Sequence, residues 1–287
     1  MRGTTRRWLA GFATITGLQR RGFFLPYRHA ARVRAGGRRM HYPALEARLK
    51  ACEAGFVEVL ATIDGYATDL ARIGDDPPPA PRWRQDWFPR LDGAAAYALV
   101  RSLKPRRIVE IGSGHSTRFL ARATRDGGLA TRITAIDPAP RAALAGLVID
   151  WVNSTVEDAT SDTFAGLGAG DILMIDSSHV LVPGSDVDIL FNAVIPTLPA
   201  GAIVHIHDVF LPDDYPPAWD WRGYNEQQAV AGLMTSGGFE ILFASHYVAS
   251  RMRDAVAAGV VGRLAMPDGA FESSLWLRKR QGPARPA

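Results

Sequence analysis

The chain has 287 residues, of which 47% are hydrophobic and 22% are charged. This composition is typical of an ordinary soluble globular protein, and the length allows one large or two modest domains with ample core. The single cysteine, Cys52, excludes an internal disulfide framework and a thiolate zinc site. No apolar run reaches the roughly 18 residues that are needed to span a bilayer.

The first 40 residues are strongly basic, because they hold ten arginines and no acidic residue. The whole chain has a net charge of +4, so the remaining residues carry the difference, −6. Such an arm could contact an anionic surface such as lipid, a nucleic acid or a polyanionic glycan. Nucleic acid is less favoured, since no recognisable reading module accompanies the basic residues.

Two arginines, a tryptophan and a leucine at residues 6–9 superficially resemble a twin-arginine export signal. However, Arg20 and Arg21 interrupt the apolar run early, and no clear small-residue cleavage site follows it. We therefore expect an amphipathic, partly ordered arm instead of an export signal.

Apolar residues at helical spacing predict one long amphipathic helix over residues 45–70. A proline-rich connector at residues 75–81 then ends any helix. We therefore divide the chain into a basic arm and helical lobe (residues 1–81), a main domain (82–280) and a frayed tail (281–287). The apolar residues of the predicted helix are Leu45, Leu49, Cys52, Phe56, Leu60, Ile63 and Leu70.

An aromatic cluster, Trp83, Trp87 and Phe88, follows the connector. It either packs the helical lobe against the main domain or forms one wall of an acceptor pocket. Asp92 is predicted to cap a helix that runs from Gly93 to Leu103.

Short apolar runs alternate with helical patterns beyond residue 107, which predicts an α/β fold with a mostly parallel sheet and helices on both faces. Two more strands follow close to the carboxyl terminus, so seven strands are expected. The predicted strands are Ile108–Ile111, Ile133–Ile136, Val148–Val152, Ile172–Ile175, Ala202–Ile206, Phe239–Ala244 and Ser274–Leu277.

The most informative motif is the loop after the first of these strands, in which Gly112 and Gly114 lie between the strand and a helical run. Two glycines let the backbone turn sharply and approach a ligand closely. A dinucleotide-binding loop would have a third glycine where this chain has Thr117. Glu110 instead suits a positively charged ligand, and Asp137, which ends the second strand, suits the two hydroxyls of a ribose.

This pattern resembles motif I and the acidic motif II of class I S-adenosylmethionine (SAM) methyltransferases. The resemblance implies a Rossmann-like seven-stranded sheet whose last strand runs antiparallel, and SAM as the cofactor. Because SAM is a cytoplasmic metabolite, a cytoplasmic location is expected. The cofactor residues that the resemblance implies are Glu110, Gly112, Ser113, Gly114, Ser116, Thr117 and Asp137.

Two acidic residues, Glu157 and Asp158, follow the third strand. Either could accept a hydrogen bond from the adenine amino group of the cofactor. Alternatively, both are solvated residues at a helix start, where negative charge is favourable to the helix dipole.

Carboxylates and imidazoles follow the fourth and fifth strands. Asp176 and His179 follow the fourth strand, and His207 and Asp208 follow the fifth. Because these strand ends meet at one edge of a parallel sheet, the four side chains are expected to gather there. Such a set suits Mg²⁺ or, with imidazole added, Mn²⁺.

The Asp-x-x-His motif and the strand-five pair resemble the metal-dependent sugar O-methyltransferases related to macrocin O-methyltransferase. The resemblance implies that Asp176, His207 and Asp208 bind the metal and that His179 is the base, with Asp176 also in the catalytic set. The chain departs from that group at His207, where a carboxylate is usual. His205, two residues earlier, is interpreted as a core histidine.

The loop over residues 210–227 is rich in proline and aromatic residues, so it is predicted either to form a rim for the acceptor or to be a structural flap. The sequence therefore predicts methyl transfer to a hydroxyl of a small molecule or sugar. The alternatives are a metal-independent methyltransferase acting on nitrogen or nucleic acid, a nicotinamide-dependent oxidoreductase, and a scaffold without activity.

Overall fold

The computed structural model describes residues 2–32, 40–74, 76–159 and 162–281. Of the predicted frayed tail, only Gln281 lies within the described residues. The described residues form seven strands. They are β1 (Arg107–Ile111), β2 (Arg132–Ile136), β3 (Asp150–Val152), β4 (Ile172–Ile175), β5 (Ile203–Ile206), β6 (Phe239–Ala244) and β7 (Leu275–Lys279).

The strands form one sheet in the order β3-β2-β1-β4-β5-β7-β6. The first five strands pair in parallel, and β7 pairs antiparallel with both β5 and β6. The predicted fold class, a Rossmann-like and mostly parallel seven-stranded sheet with helices packed on it, is confirmed. The parallel strands therefore end at one edge of the sheet, and the predicted site residues lie at or after those ends.

Burial along the strands follows from their place in the sheet. Every residue of β4 and of β5 is buried, as expected for central parallel strands that are covered on both faces. In contrast, all three residues of the edge strand β3 are exposed. The predicted strand Val148–Val152 is therefore too long, because pairing with β2 begins only at Asp150.

The helices cover the sheet and form the amino-terminal lobe. They are α1 (Arg2–Ile15), α2 (Pro43–Lys50), α3 (Glu53–Asp64), α4 (Ala67–Ala71), α5 (Arg90–Leu103), α6 (His115–Asp126), α7 (Asp162–Ala165), α8 (Asp186–Ile189), α9 (Glu226–Thr235), α10 (Ser245–Arg251) and α11 (Arg253–Ala258). Short 3-10 turns lie at Ala30–Arg32, Ile195–Thr197, Pro217–Trp219 and Val261–Arg263, and Leu190–Val194 is π-helical. Among the described helices, none has the length and apolarity that crossing a bilayer requires.

The predicted single helix over residues 45–70 is wrong, because the chain folds there into α2, α3 and α4. Turns at residues 51–52 and 65–66 separate them. The apolar spacing nevertheless predicted the buried face correctly, since Leu49, Phe56 and Leu70 are fully buried. Consecutive helices can present the same periodic stripe as one long helix, so the pattern does not reveal the breaks.

The helical lobe shares one hydrophobic core with the sheet. Phe56 of α3 packs edge-to-face on Phe243 of β6 at 5.9 Å between ring centroids. The hydroxyl of Tyr247 donates to Glu53 at 2.7 Å. The proline-rich segment before residue 82 is thus a connector between packed elements, and the described buried residues on both sides of it belong to one core.

The start of α5 differs from the prediction, because the helix begins at Arg90 and Asp92 lies inside it. The carboxylate that serves the helix start belongs to Glu272, which accepts from the backbone amide of Leu91 at 3.0 Å and pairs with Arg90 at 2.9 Å. Asp92 is fully buried and accepts from the amides of the chain that leads into β7, including Ser273. Asp92 therefore connects α5 to the sheet.

At the end of β1, Gly112 adopts a φ of +77°, which L side chains rarely adopt. A Cβ atom at this position would overlap the backbone carbonyl oxygen of Asp176. The ends of β1 and β4 can therefore approach each other this closely only because residue 112 is a glycine.

We predict that Gly112→Ala lowers the free energy of unfolding and abolishes cofactor binding, because the strained φ and the clash with Asp176 act together. Gly128→Ala is the matched control, since Gly128 also has a positive φ (+58°) but open space around its Cβ position. The control should cost only about 1–2 kcal/mol in urea denaturation. If Gly112→Ala and Gly128→Ala lowered the free energy of unfolding equally, the close approach of β1 to β4 at Gly112 would be contradicted.

Candidate active site

A buried carboxylate organises the glycine loop. Glu110 is fully buried, and its two oxygens accept from the hydroxyls of Ser116 at 2.5 Å and Thr117 at 2.6 Å. Thr117 in turn accepts from the amide of Gly114 at 2.9 Å. These hydrogen bonds connect Glu110 to the loop through Ser116 and Thr117. Glu110 therefore helps to fix the conformation of the loop.

Asp137 lies at the end of β2, on the open side of the same loop. One carboxylate oxygen accepts from both the amide and the hydroxyl of Ser113, at 2.7 and 3.0 Å. The other oxygen accepts from the amide of Ala139 at 2.7 Å. Oδ1 keeps acceptor capacity for a further donor, whereas Oδ2 already accepts two hydrogen bonds, and the contacts hold the carboxylate in one orientation.

A cleft of 770 Å³ runs along the ends of the parallel strands. Of the predicted cofactor residues, Gly112, Asp137 and Glu157 line it. Asp158 does not line it and accepts from Thr155 at 3.3 Å. The predicted residues that lie around the loop without lining the cleft are Glu110, Ser113, Gly114, Ser116 and Thr117.

Two lining residues come from the basic arm, which the sequence did not connect with this site. Arg20 and Phe23 border the cleft, with the guanidinium of Arg20 5.1 Å from the ring centroid of Phe23. No local pattern predicts this contact, because it joins segments about ninety residues or more apart in the chain.

The predicted cluster of carboxylates and imidazoles forms at the ends of β4 and β5. His179 is buried, and its Nε2 lies 3.3 Å from Asp176 Oδ1 and 3.3 Å from Asp208 Oδ2. His179 and Asp208 both have left-handed backbone conformations, with φ of +59° and +58°. Such strain in non-glycine residues is concentrated at functional sites, where the surrounding structure maintains it.

Glu226, at the start of α9, contacts the second ring nitrogen of His179. Its Oε2 lies 2.8 Å from His179 Nδ1, and both side chains are buried. Burial raises the pKa of Glu226. Burial lowers the pKa of His179, but Asp208, Asp176 and Glu226 outweigh it and raise the pKa well above its usual value. The cluster therefore attracts positive charge.

His207 is turned toward α5. Its Nε2 lies 3.3 Å from Asp92 Oδ2, while its Nδ1 lies 3.4 Å from Asp208 Oδ1 and 3.6 Å from Asp176 Oδ1. Although burial opposes protonation, Asp176, Asp208 and Asp92 together raise the pKa of His207. Asp92 was predicted only as a helix cap, and its role here could not be read from local spacing.

His205 is a core residue, as interpreted from the sequence. It is fully buried, its Nε2 lies 2.9 Å from Ser274 Oγ, and its ring lies 4.6 Å from that of Trp276. Burial and the neighbouring His207 lower its pKa to about 3, so the imidazole is neutral at physiological pH.

Within the described part of the chain, the residues whose ligand atoms lie close enough to share one ion are Asp176, His179 and Asp208, with all three atoms within 4.8 Å of one another. The structure thus places His179, predicted as the base, with the two carboxylates. His207, predicted as a ligand, lies beside this group, with Nδ1 near Asp176 and Asp208 and Nε2 facing Asp92.

A second cavity of 100 Å³ adjoins the cluster. Its aromatic lining includes residues of both sequence segments that were considered for acceptor binding, namely Trp87 from the aromatic cluster after the connector, and Trp219 and Tyr224 from the 210–227 loop. Other aromatic residues of these segments pack inside, since Trp83 contacts Phe119 at 4.9 Å between ring centroids. Each segment therefore contributes both to packing and to the cavity.

Glu110 gives the protein a testable pH dependence. Burial raises its pKa to about 8, against the opposing effect of the Ser116 and Thr117 hydroxyls. The folded state therefore holds a proton that the unfolded chain releases near pH 4.5, and stability from this group is lost as the pH rises toward 8.

We predict that Glu110→Gln flattens this dependence, with a difference from the unmodified protein of at most about 1.4 kcal/mol per pH unit between these two pKa values. Urea denaturation over a pH series measures it. Glu58→Gln, an exposed site on α3, is the matched control and should run parallel to the unmodified protein. A parallel curve for Glu110→Gln as well would contradict the assignment.

Comparison with known proteins gives one family match. A family model described as a methyltransferase domain matches residues 109–209. A search of curated proteins found no match.

Solved structures with similar folds share little sequence with this chain. The SAH-bound methyltransferase PaMTH1 of Podospora anserina is 20% identical, with a TM-score of 0.42, and the match covers 91% of this chain and all of that chain. A putative O-methyltransferase from Klebsiella pneumoniae is 13% identical, with a TM-score of 0.42 and coverage of 78% and 90%. An O-methyltransferase from Bacillus cereus in complex with SAH is 13% identical, with a TM-score of 0.41 and coverage of 78% and 91%.

The matched segment contains every predicted site residue from Glu110 to Asp208. The strand order places these residues along the carboxyl edge of one parallel sheet. The predicted enzyme class is confirmed over this segment: residues 109–209 match a methyltransferase domain.

Proposed function

We propose that the protein transfers the methyl group of SAM to a hydroxyl group of a small molecule or sugar, at the Asp176–His179–Asp208 cluster. One observation carries this proposal. Asp176 lines both the large cleft beside the glycine loop and the small aromatic cavity. A methyl donor in the cleft and an acceptor in the cavity would therefore meet at this carboxylate.

The cleft supplies the contacts that SAM needs. Asp137 has one acceptor site left on Oδ1 for a ribose hydroxyl, and Oδ2 can accept from the second when the Ser113 hydroxyl turns away from it, while the amides of Ser113 and Ala139 hold the carboxylate in place. Gly112 lines the cleft and presents only backbone to a cofactor there. Glu157 lines the far end of the cleft, where it can accept from the adenine amino group. In this assignment Asp158 serves the turn and does not contact the cofactor.

His179 is the proposed base. Glu226 lies against its Nδ1, which keeps the Nδ1 proton in place and directs the Nε2 lone pair toward the two aspartates. A sulfonium bound beside Asp176 brings positive charge to the cluster and so favours the neutral imidazole that a base requires. The cluster can then orient the acceptor hydroxyl and receive its proton while the cleft aligns the methyl group.

The donor set also fits a divalent metal. Asp176, His179 and Asp208 would hold Mg²⁺ or Mn²⁺, and Glu226 would orient the imidazole, as outer partners of metal-bound histidines do. A bound ion would supply Lewis-acid stabilisation of the alkoxide. His179 Nε2 cannot hold an ion and accept a proton at the same time, so a metal held by these three residues would leave His179 a ligand and not the base.

The cavity favours a small acceptor. It has a volume of 100 Å³ and is lined by Trp87, Trp219 and Tyr224, whose faces suit a sugar or an aromatic ring. A cavity of this size beside the cluster does not suit a duplex nucleic acid. The glycine loop has Thr117 at the position where a loop that binds a nicotinamide cofactor would have a third glycine.

We predict that His179→Ala lowers kcat about 100-fold to 10,000-fold while the Kd for SAM changes little, because the side chain acts on the acceptor and not on the cofactor. Release of S-adenosylhomocysteine over a panel of phenols and sugars measures turnover, and calorimetry measures SAM binding. His246→Ala is the matched control, since His246 contacts Asp213 away from the cluster. Normal turnover in His179→Ala would remove the residue from the mechanism.

The same assay separates the two roles of the cluster. If His179 is the base and the cluster holds no metal, turnover is unchanged by EDTA. If the cluster holds a metal, EDTA abolishes turnover, and Mg²⁺ or Mn²⁺ restores it. If the unmodified protein did not bind SAM, the proposal of methyl transfer itself would be refuted.

A further inference from the structure

The first helix, α1, exposes its large apolar side chains, whereas a surface helix usually buries them. The small side chains of Ala10, Ala13 and Thr14 are half-buried. The large apolar side chains face solvent and are 64–76% exposed. These are Trp8, Leu9, Phe12 and Ile15. Since residues three and four apart share one helix face, they form a continuous apolar stripe along α1.

The apolar surface continues beyond the helix. Leu18, Phe23, Phe24, Leu25 and Tyr27 are 50–77% exposed. Nine of the sixteen exposed large hydrophobic side chains in the described part of the chain thus lie within residues 8–27. Scattered exposed hydrophobics are ordinary, but a contiguous group of this size marks an interaction surface.

The same segment is rich in positive charge. The arginines of the described arm are all exposed, and the first acidic residue of the chain is Glu46. These arginines are Arg6, Arg7, Arg20, Arg21, Arg28 and Arg32. On α1, Arg6 and Arg7 flank the apolar stripe on opposite sides, each about 130° around the axis from its centre by the helical repeat of roughly 3.6 residues.

We propose that residues 6–32, called here the N-terminal arm, dock the protein onto the surface of an anionic lipid bilayer. The apolar side chains would enter the boundary between headgroups and acyl chains, and the arginines would contact lipid phosphates. This combination of an exposed aromatic and aliphatic face with clustered arginine is the chemistry of interfacial segments.

Charge complementarity selects lipid over the other possible occupants. Nucleic acid would use the arginines but would leave nine large apolar side chains in water. A second copy of the chain docked arm to arm would bring two arginine-rich surfaces together, and like charges repel. An anionic bilayer satisfies both properties at once.

The N-terminal arm lies next to the large cleft and the 210–227 loop. Arg20 and Phe23 line the cofactor cleft, and Arg7 donates to the backbone oxygen of Asp220 in the 210–227 loop at 3.2 Å. A docked arm would therefore place the cleft and this loop next to the membrane surface. The docking proposal itself does not depend on which acceptor is methylated.

Vesicle co-sedimentation of the full chain tests the proposal. We expect binding to vesicles of phosphatidylcholine containing one quarter phosphatidylglycerol and little binding to pure phosphatidylcholine. Raising the salt from about 0.1 M to about 1 M should weaken binding, because the Debye length falls from about 10 Å to about 3 Å.

Two variants separate the contributions. Leu9→Ser with Phe12→Ser and Ile15→Ser should weaken binding at least about tenfold through lost apolar burial. Arg6→Gln with Arg28→Gln should weaken it about tenfold through lost charge. The matched controls change exposed residues elsewhere, Val57→Ser with Val148→Ser and Arg106→Gln with Arg125→Gln, and should bind as the unmodified protein does.

Three results would overturn the proposal. Equal binding to neutral and anionic vesicles would remove the role of charge. No binding to either vesicle, with dimers in analytical ultracentrifugation that the serine variant loses, would assign the arm to self-association. Salt-sensitive binding of RNA that the serine variant retains, without vesicle binding, would assign the arm to nucleic acid.

Discussion

The site depends on the close approach of β1 and β4 at the carboxyl edge of the sheet. Gly112 leaves β1 with a positive φ and lies against the backbone oxygen of Asp176, so no side chain fits between them. This contact places the glycine loop beside the residues that follow β4. The large cleft and the small cavity can therefore meet at Asp176, which lines both.

Buried charge is the second organising feature. Asp92, Asp176, Asp208 and Glu226 surround His179 and His207, with contacts of 2.8–3.6 Å. Buried carboxylates require compensating positive charge, and the raised pKa values of both imidazoles show that protons can supply it. A sulfonium or a divalent metal is also a cation, so the cluster suits the chemistry proposed for it.

The sequence predicted the sheet, the glycine loop and the gathering of Asp176, His179, His207 and Asp208, because parallel strands end at one edge and local spacing reveals their ends. It did not predict the partners that orient these residues. Glu226 and Asp92 lie 47 and 115 positions from the histidines they contact, and such contacts leave no local pattern. The same holds for Arg20 at the cleft. Local spacing also failed where three helices share one apolar stripe over residues 45–70.

The central claim is that SAM occupies the cleft with its ribose on Asp137, and calorimetric titration with SAM tests it most directly. The account predicts saturable binding of SAM, no binding of NADH, and affinity about tenfold to 100-fold weaker in Asp137→Ala, because hydrogen bonds to a charged group are lost. Asp150→Ala, an exposed site on β3, should bind SAM normally. Binding of NADH in place of SAM, or unchanged SAM affinity in Asp137→Ala, would contradict the account.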